Sequence, residues 1–350
     1  MKRNLRRFAL RTLKNVGAFR LVEAGGWRQQ RLLILCYHGI ALADEDQWRP
    51  TLYMSSQLLE RRLQVLRDGK YAVLPLPEAI DRLYRKDLPP RSVALTFDDG
   101  GYDFYKKAYP LLKHFGFPAT VYLTTYYSEL QRPIFSLACS YLLWKARGRG
   151  TVDLSTFGAD AVTRIGSDES RNRAAGRIVE LVDQHDLTGQ QKDAVAARLA
   201  QDLGIDYDEL RRKRILQLMS RQEVQELAAE GVNFELHTHR HRTPLDEELF
   251  RREIRENRAH LALAVPGERK HFCYPSGAWR PEFFKWLLAE GIVSATTCDT
   301  GLATASSNPL LLPRLVDTSA RTDLEFESWL NGIGHFLSRR KRGRQAYSPD

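Results

Sequence analysis

The sequence predicts an α/β protein, a distorted (β/α)7 TIM-like barrel with a helical insertion, on three observations. Seven short apolar runs, typical of strands buried on both faces, alternate with segments of helical periodicity. A stretch at about residues 126–218 interrupts this alternation with helical patterns alone. Polar residues cluster where apolar runs end, and parallel-sheet folds place their active sites at the carboxyl ends of strands. The runs are Leu32–Tyr37, Tyr71–Leu74, Ser92–Phe97, Ala119–Leu123, Val232–Leu236, His271–Tyr274 and Ile292–Thr297.

Length and composition fit one catalytic domain. A chain of 350 residues with 43% hydrophobic content can bury one large core. The four cysteines are widely spaced and form no CxxC pair, which predicts neither a cysteine zinc site nor a disulfide framework. No apolar run approaches the ~20 residues that cross a bilayer, and the first residues lack the apolar core of a secretory signal. We therefore expect a cytoplasmic location.

Positive charge is concentrated at the two ends of the chain, whose formal net charge is +10. Residues 1–28 predict a basic amphipathic helix that either lies on an anionic membrane, at its inner face, or packs on the domain. Residues 336–350 form a basic tail that we expect to be solvated. No nucleic-acid module lies between them, so nucleic acid is not an expected partner. The apolar stripe of the helix is Leu5, Phe8, Ala9, Leu13, Val16 and Phe19, and the tail cations are Arg339, Arg340, Lys341, Arg342 and Arg344.

Two adjacent carboxylates, Asp98 and Asp99, follow the third apolar run within Thr96–Gly100. Successive strand residues point to opposite faces, so neighbouring aspartates take different roles only where the strand ends and the backbone turns. The two glycines that follow supply such a turn. Because the same pattern also occurs in ordinary turns, it predicts a site only together with a second motif.

The second motif is a group of three histidines, His237, His239 and His241, directly after the fifth apolar run. Imidazole nitrogens suit zinc, and two histidines with one aspartate leave positions open for water and substrate. Cobalt, nickel or iron would also fit this set of ligands. The alternative is a group of capping or surface histidines. Combined with the aspartate pair, the histidines predict a catalytic metal site.

These motifs resemble those of the polysaccharide deacetylases, carbohydrate esterase family 4, which carry a NodB-homology domain. The family motifs are Thr/Ser-Phe-Asp-Asp-Gly and His-Ser/Thr-x-x-His, and both are matched in full. The resemblance covers roughly residues 33–316, interrupted by the insertion. It implies a deacetylase domain over residues 29–335.

The resemblance also implies a division of roles. Asp99, His237 and His241 would bind the metal, and Asp98 would be the base that activates the attacking water. His239 could replace one of the assigned histidines, although the other two have the family spacing.

The third family motif is altered, because Phe272–Gly277 stands where Arg-x-Pro-Tyr-Gly is more familiar. It resembles the form found in a branch of bacterial exopolysaccharide deacetylases. By that resemblance, the backbone N–H of Ser276 would help to hold the oxyanion of the transition state. The missing arginine leaves the orientation of Asp98 unexplained. Arg314 could supply the charge, or could instead belong to a buried structural ion pair.

The leaving nitrogen needs a proton, and two histidines are candidates for the general acid. His38 ends the first apolar run and resembles the early Tyr-His segment of biofilm poly-N-acetylglucosamine deacetylases. His335 lies near the C-terminus, where many family members have their acid, but it follows a helical segment. We therefore predict that His38 is the acid, with packing or capping as its alternative role.

The predicted function is metal-dependent hydrolysis of N-acetyl groups on a bacterial N-acetylhexosamine polysaccharide or its lipid-linked precursor, with release of acetate. An acetylated glycan is thus the expected substrate, and exopolysaccharide is preferred to peptidoglycan on the altered third motif and Tyr37-His38. Two alternatives stay open. One is a glycan-binding pseudoenzyme of the same fold, and the other is a hydrolase of an O-acetyl ester or a non-sugar amide.

Overall fold

The computed structural model describes residues 2–157, 162–185 and 187–337, and the predicted basic tail at 339–344 lies outside them. In these ranges helices surround a parallel, strongly curled sheet, which confirms the predicted α/β barrel class. The strands are β1 (Leu33–Tyr37), β2 (Gly39–Ile40), β3 (Tyr53–Met54), β4 (Ala72–Val73), β5 (Ser92–Asp99), β6 (Thr120–Leu123), β7 (Thr151–Val152), β8 (Thr163–Arg164), β9 (Asn233–Leu236), β10 (His271–Cys273), β11 (Ser294–Thr296) and β12 (Leu315–Val316). The helices are α1 (Lys2–Asn15), α2 (Ala18–Ala24), α3 (Glu45–Trp48), α4 (Ser56–Asp68), α5 (Leu76–Arg85), α6 (Tyr109–Phe115), α7 (Tyr126–Leu130), α8 (Phe135–Lys145), α9 (Asp168–Gln184), α10 (Gly189–Asp202), α11 (Tyr207–Arg212), α12 (Arg221–Ala229), α13 (Glu247–Ala262), α14 (Glu282–Ala289), α15 (Asp323–Asn331) and α16 (Ile333–Leu337).

The central sheet has the strand order β11-β10-β9-β6-β5-β1-β12, and β4 pairs with β5 off this path. All of these pairings are parallel. Each of the seven predicted runs contains one strand of this sheet, in agreement with the sequence pattern. The eighth strand, β12, lies outside the predicted runs.

One segment connects the two edges of the curled sheet. Leu312 pairs in parallel with Thr296 at the end of β11. Three residues further on, β12 begins and pairs with β1, with Leu315 opposite Leu35. This closing segment, residues 312–316, therefore stands where a (β/α)7 barrel needs its last strand, whereas the sequence pattern had counted β4 as one of the seven strands.

The helical insertion lies between β6 and β9 and contains α7 to α11 and the antiparallel pair β7–β8. It has a hydrophobic core of its own, to which Leu142, Ile178 and Leu199 contribute fully buried side chains. Its C-terminal end contacts the loop after β5, where the N–H of Met219 donates to the carbonyl of Gly100 at 3.0 Å. The insertion thus borders the carboxyl end of the sheet, as expected from its position between two strands.

The N-terminal segment forms α1 and α2, which pack on α15 and α16. The buried contact involves Leu10 and Phe19 with Ile333. Only part of the predicted apolar stripe faces this contact, since Phe8 and Val16 are 69% and 67% exposed. The predicted stripe was incomplete, because it left out Leu10, which is fully buried.

None of the described helices is both long and apolar enough to span a membrane.

Candidate active site

Asp98 and Asp99 lie at the last two positions of β5, where the backbone leaves the sheet. Asp99 has a φ of 69° and Gly100 a φ of 82°. A Cβ atom at Gly100 would lie 2.0 Å from the Leu123 side chain, so both the turn and the close approach require glycine. The turn separates the two carboxylates. The Asp98 side chain is 2% exposed inside the barrel, and that of Asp99 is 29% exposed at its mouth.

Two histidine nitrogens converge on Asp99. The Nε2 atoms of His237 and His241 each lie 3.3 Å from Asp99 Oδ1. That oxygen is buried and makes no hydrogen bond of good geometry in the described part of the chain. Two ligand atoms that share one zinc ion in tetrahedral geometry lie about 3.4 Å apart. The three side chains therefore fit a divalent metal, as the sequence predicted for this set.

The hydrogen bonding of His237 and the burial of His241 also fit a metal. His237 Nδ1 lies 2.8 Å from the carbonyl oxygen of Cys273, so it carries a proton and donates it. Nε2 of His237 then faces Asp99. Burial lowers the pKa of His237, but the negative charge and hydrogen bonds around it outweigh burial and raise that pKa, so a metal would displace the proton from Nε2. Burial lowers the pKa of His241, which favours the neutral form that can bind a metal.

His239 points away from Asp99 in this arrangement. Its Nδ1 lies 2.8 Å from Thr125 Oγ1, and its ring stacks on His260 with centroids 4.6 Å apart. Burial, and secondarily the charge of Arg240, lowers the pKa of His239 to about 4. His239 is therefore a neutral packing residue, and the geometry disfavours it as a replacement ligand.

The histidine loop is fixed by Asn257 on α13, a residue that is fully buried. Its Oδ1 accepts the N–H of His237 at 3.0 Å. Its Nδ2 donates to the carbonyl oxygen of Leu123 at 2.9 Å and to Thr125 Oγ1 at 3.1 Å. Sequence reasoning missed Asn257 because its partners lie far away in the chain, and no local pattern marks the residue.

Arg314, in the closing segment, forms a bidentate ion pair with Asp98. Nη1 and Nη2 each lie 2.7 Å from one oxygen of the carboxylate, and Arg314 is fully buried. Burial raises the pKa of Asp98, but the charge and hydrogen bonds of Arg314 outweigh it and lower that pKa well below its usual range. Of the two alternatives for Arg314, the geometry favours the residue that orients Asp98, in the place of the missing arginine of the third motif.

Two thiols complete the surroundings of Asp98. The Sγ atoms of Cys36 and Cys273 each lie 3.5 Å from Asp98 Oδ2. Burial raises the pKa of Cys36 well above its usual value, so this thiol is neutral and can act as a weak donor. The sequence analysis assigned no role to these cysteines. Cys36 could have been found from its position in β1, two residues before His38, because side chains two apart in a strand share a face.

The ion pair with Arg314 also decides between possible metal sites. Two further groups with suitable atoms, Cys36-His38-Asp98 and Asp98-His237-Cys273, both depend on Asp98. A guanidinium 2.7 Å from both of its oxygens uses one lone pair of each, and its positive charge repels another cation. The set built on Asp99 is therefore the favoured metal site.

His38 lies at the end of β1, beside the base. Its Nε2 is 3.7 Å from Asp98 Oδ2, and its side chain is 17% exposed. His335 lies elsewhere, in α16, where its ring contacts Trp27 and Trp329 at centroid distances of 5.4 and 6.5 Å. The structure therefore places His38, and not His335, within the cluster around Asp98.

Ser276 lies in the turn that follows β10. Its φ is 55° and that of Gly277 is 68°, so the chain reverses sharply there. A Cβ atom at Gly277 would lie 2.8 Å from the Cβ of Cys298, which explains why glycine stands at this position. The turn places the Ser276 backbone at the same end of the sheet as Asp98. Its role in holding an oxyanion stays a prediction.

Comparisons with known proteins agree with this site. The family model of the polysaccharide deacetylases matches residues 85–151 and 187–293. A Bacillus subtilis protein named as a polysaccharide deacetylase, YxkH, is 34% identical over 94 residues, which are 27% of this chain and 32% of that protein. The chain thus matches about a third of the length of this relative.

Two solved structures share the fold. The Streptococcus pyogenes deacetylase PplD, in complex with acetate, has a TM-score of 0.53 at 19% identity over 83% of this chain and 93% of that one. IcaB from Ammonifex degensii has a TM-score of 0.51 at 17% identity over 86% and 97% of the two chains. Together with the motifs and the family match, the site places this chain in the polysaccharide deacetylase family.

Proposed function

We propose that the protein hydrolyses N-acetyl groups of a bacterial N-acetylhexosamine polysaccharide, or of its lipid-linked precursor, and releases acetate. The observation that carries this proposal is the Asp98–Arg314 ion pair directly beside the convergent Asp99, His237 and His241. An ionised base and a set of three proposed ligands then lie next to one another at the same end of the barrel. Membership of the polysaccharide deacetylase family supports the reaction class.

Asp99, His237 and His241 would hold a divalent metal, with zinc as the first choice and cobalt, nickel or iron as others that suit these ligands. Such a metal supplies positive charge that polarises a carbonyl group and lowers the pKa of water.

Asp98 would be the general base. Its pKa is held low by Arg314, so it is ionised near neutrality and can accept a proton from the water that attacks the acetamide carbon. Because Arg314 binds both carboxylate oxygens, Asp98 has one fixed orientation. Asp98 Oδ2 lies 3.7 Å from Nε2 of His38, so the proposed base and the proposed acid are neighbours.

His38 and Ser276 would complete the reaction. The Ser276 N–H would donate to the oxyanion that develops as the carbonyl carbon becomes tetrahedral. His38, as imidazolium, would give its proton to the nitrogen as the carbon–nitrogen bond breaks. The products are acetate and a free amine on the sugar. The partly exposed His38 side chain can exchange protons with solvent between turnovers.

The proposed substrate class rests on the altered third motif and on Tyr37-His38, which resemble the exopolysaccharide branch.

The test is acetate release from N-acetylglucosamine oligomers by the purified protein, with metal analysis of the same sample. Asp98→Asn should abolish release and keep the metal, because Asp98 is not among the proposed ligands. His237→Ala should lose both. His239→Ala is the matched control, since it changes the same motif but not the proposed site, and it should keep the metal.

Four results would count against the proposal. Undiminished release by Asp98→Asn would remove its base, and equal metal content in His237→Ala and wild type would remove its metal site. Products that carry a new hydroxyl group in place of an amine would show an O-acetyl esterase. A metal-loaded protein that releases no acetate from varied acetylated glycans would favour the glycan-binding pseudoenzyme.

A further inference from the structure

The two ends of the described chain come together in one group of four helices, α1, α2, α15 and α16. Leu10, Phe19 and Ile333 form its small apolar core. Lys14 of α1 forms an ion pair with Glu327 of α15. The N-terminal helices are therefore anchored to the domain through one face.

This terminal helix group exposes large apolar side chains on its outer faces. Phe8, Val16 and Leu21 come from the N-terminal helices and their connection, and Phe336 comes from α16. Their exposed fractions are 69%, 67%, 72% and 60%. Phe336 also contacts Trp27, just after α2, with ring centroids 4.4 Å apart. Internal packing buries Leu10, Phe19 and Ile333, but it leaves these four side chains exposed, and Leu337 is 37% exposed as well.

The N-terminal helix of this group carries an excess of positive charge, whereas α15 contains three acidic residues. Residues 2–15 contain six lysines and arginines and no acidic residue. Arg11 is exposed in the described helix. The basic run 339–344 begins two residues after Leu337, the last residue of α16. Both basic clusters of the sequence thus belong to, or adjoin, the terminal helix group.

We propose that the terminal helix group is a docking surface for an anionic lipid bilayer. Exposed phenylalanine and leucine on a cationic helix are the features of helices that lie in the membrane interface, where apolar side chains enter the acyl boundary and cations contact lipid phosphates. Docking places the enzyme at the membrane without a spanning segment. The inference does not depend on the proposed reaction.

Charge argues for a bilayer over a second copy of the chain. Dimerisation through this surface would bring one α1, whose sequence has six basic residues and no acidic one, close to another, and such like-charge contacts are unfavourable. An anionic bilayer offers an opposite charge spread over the whole surface. The exposed apolar residues are scattered over α1, α2, their connection and α16, which also suits a deformable lipid phase.

The test is co-sedimentation of the full chain with vesicles. We expect binding to vesicles of phosphatidylcholine with roughly one-third phosphatidylglycerol, whose anionic surface attracts lysines and arginines. Binding should be absent from pure phosphatidylcholine and weaker at high salt, because salt screens exposed charges. The double variant Phe8→Glu, Leu21→Glu should bind about ten-fold or more weakly.

Leu245→Glu, Leu263→Glu is the matched control, because both leucines are 56% exposed and lie at α13, outside the terminal helix group. Acetate release from soluble oligomers and the melting temperature check that both variants fold. Equal vesicle binding by the two double variants, or equal binding to neutral and anionic vesicles, would overturn the proposal. The proposal would also be overturned if the protein bound no vesicles and instead formed a dimer that the double variant Phe8→Glu, Leu21→Glu dissociates.

Discussion

Single residues show how one peptide bond separates two kinds of chemistry. Asp98 is buried and paired with Arg314, whereas Asp99 faces the mouth and two imidazoles. The positive φ of Asp99 turns the backbone out of the strand and keeps both side chains at this end of the barrel, since a regular strand would send them to opposite faces of the sheet. One carboxylate is therefore suited to proton transfer and its neighbour to a metal.

Arg314→Gln should lower kcat for acetate release at neutral pH by about 100-fold or more, the scale seen when a group that supports transition-state chemistry is removed. Without the guanidinium, burial would raise the pKa of Asp98, so the base would become protonated at higher pH. The acidic limb of the pH–rate profile should therefore move to higher pH. Metal content should stay unchanged, because Arg314 contacts none of the proposed ligands.

Arg62→Gln is the control for this prediction. Arg62 is also buried and forms an ion pair, with Asp317 at 2.9 Å, outside the proposed site. Both variants should lose stability on the order of 3–5 kcal/mol, the usual cost of leaving one partner of a buried pair. A shift of the acidic limb in Arg62→Gln as well would show that the effect of Arg314→Gln is only structural.

The residues predicted from sequence are those carried by short motifs. Asp98, Asp99, His237 and His241 could be assigned because each pair lies within five residues and the chain around it predicts a strand end. Arg314 could be named but not assigned, because its partner lies 216 residues away. Cys36, Cys273 and Asn257 could not be found, since only the folded chain brings them to Asp98 and to the histidine loop.

At the level of elements, α13 fixes the position of the histidine loop. Asn257 binds the His237 N–H, the carbonyl of Leu123 at the end of β6 and the hydroxyl of Thr125 just after it. One side chain therefore joins a helix to two neighbouring strands. Glu253, one turn earlier in α13, accepts the N–H of Arg240 at 2.7 Å. The geometry of the proposed ligands therefore depends on a helix that supplies none of them.

Asn257→Ala should weaken zinc binding about 10–100-fold, the effect usual for residues that orient metal ligands. The unpaired N–H of His237 should also cost stability, about 1–3 kcal/mol. Competition with a chromophoric chelator measures the affinity. Asn233→Ala, at the other end of β9, also removes a side-chain hydrogen bond, the one to Thr120, and serves as the control that should keep full zinc affinity.

The first residue of β10 gives a prediction on pH and stability. Burial lowers the pKa of His271 to about 4, against about 6.5 in the unfolded chain. Between these values the unfolded chain binds more protons, so falling pH destabilises the fold. The free energy of unfolding should therefore drop by about 2 kcal/mol between pH 7.5 and 5 through this residue.

His271→Gln, which does not titrate, isolates this effect. Burial raises the pKa of the nearby Glu235 to about 7, and that group acts with the opposite sign, since its contribution is lost as pH rises. The comparison is therefore the difference between wild type and His271→Gln in urea unfolding at the two pH values. A difference that does not change with pH would contradict the prediction.

The strands could be predicted from the sequence because buried parallel strands are apolar throughout. Their positions in the sheet could not be predicted. β4 and β12 are two residues each, yet β12 closes the sheet while β4 only extends one side of β5. The pairing of Leu315 with Leu35 depends on a contact across 280 residues of chain. The hydrophobic pattern of a segment indicates how the segment is buried, but it does not indicate which strand the segment pairs with.

The whole molecule should respond to removal of the metal. With Asp99, His237 and His241 converging on one point, a bound ion would cross-link the ends of β5 and the histidine loop. Chelation should abolish acetate release and lower the melting temperature, since a ligand at ~1,000 times its Kd stabilises the fold by about 4 kcal/mol. Added zinc should restore both, as measured by acetate assay and calorimetry.

His241→Ala provides the comparison, because it keeps the fold around the buried His237 while removing the partly exposed ligand. Its melting temperature should be the same with and without chelator. If chelation lowers the melting temperature of this variant as much as that of wild type, the stabilising metal lies elsewhere in the molecule.

The closing segment has a consequence for the order in which the molecule becomes active. A ribosome releases β5 and the histidine loop well before residues 312–316, so a growing chain can bring Asp99 and the histidines together first. Asp98 receives its counter-ion only when Arg314 has emerged and β12 has joined β1. Metal capture and competence for hydrolysis would thus become possible at different points of synthesis, the second only with closure of the barrel.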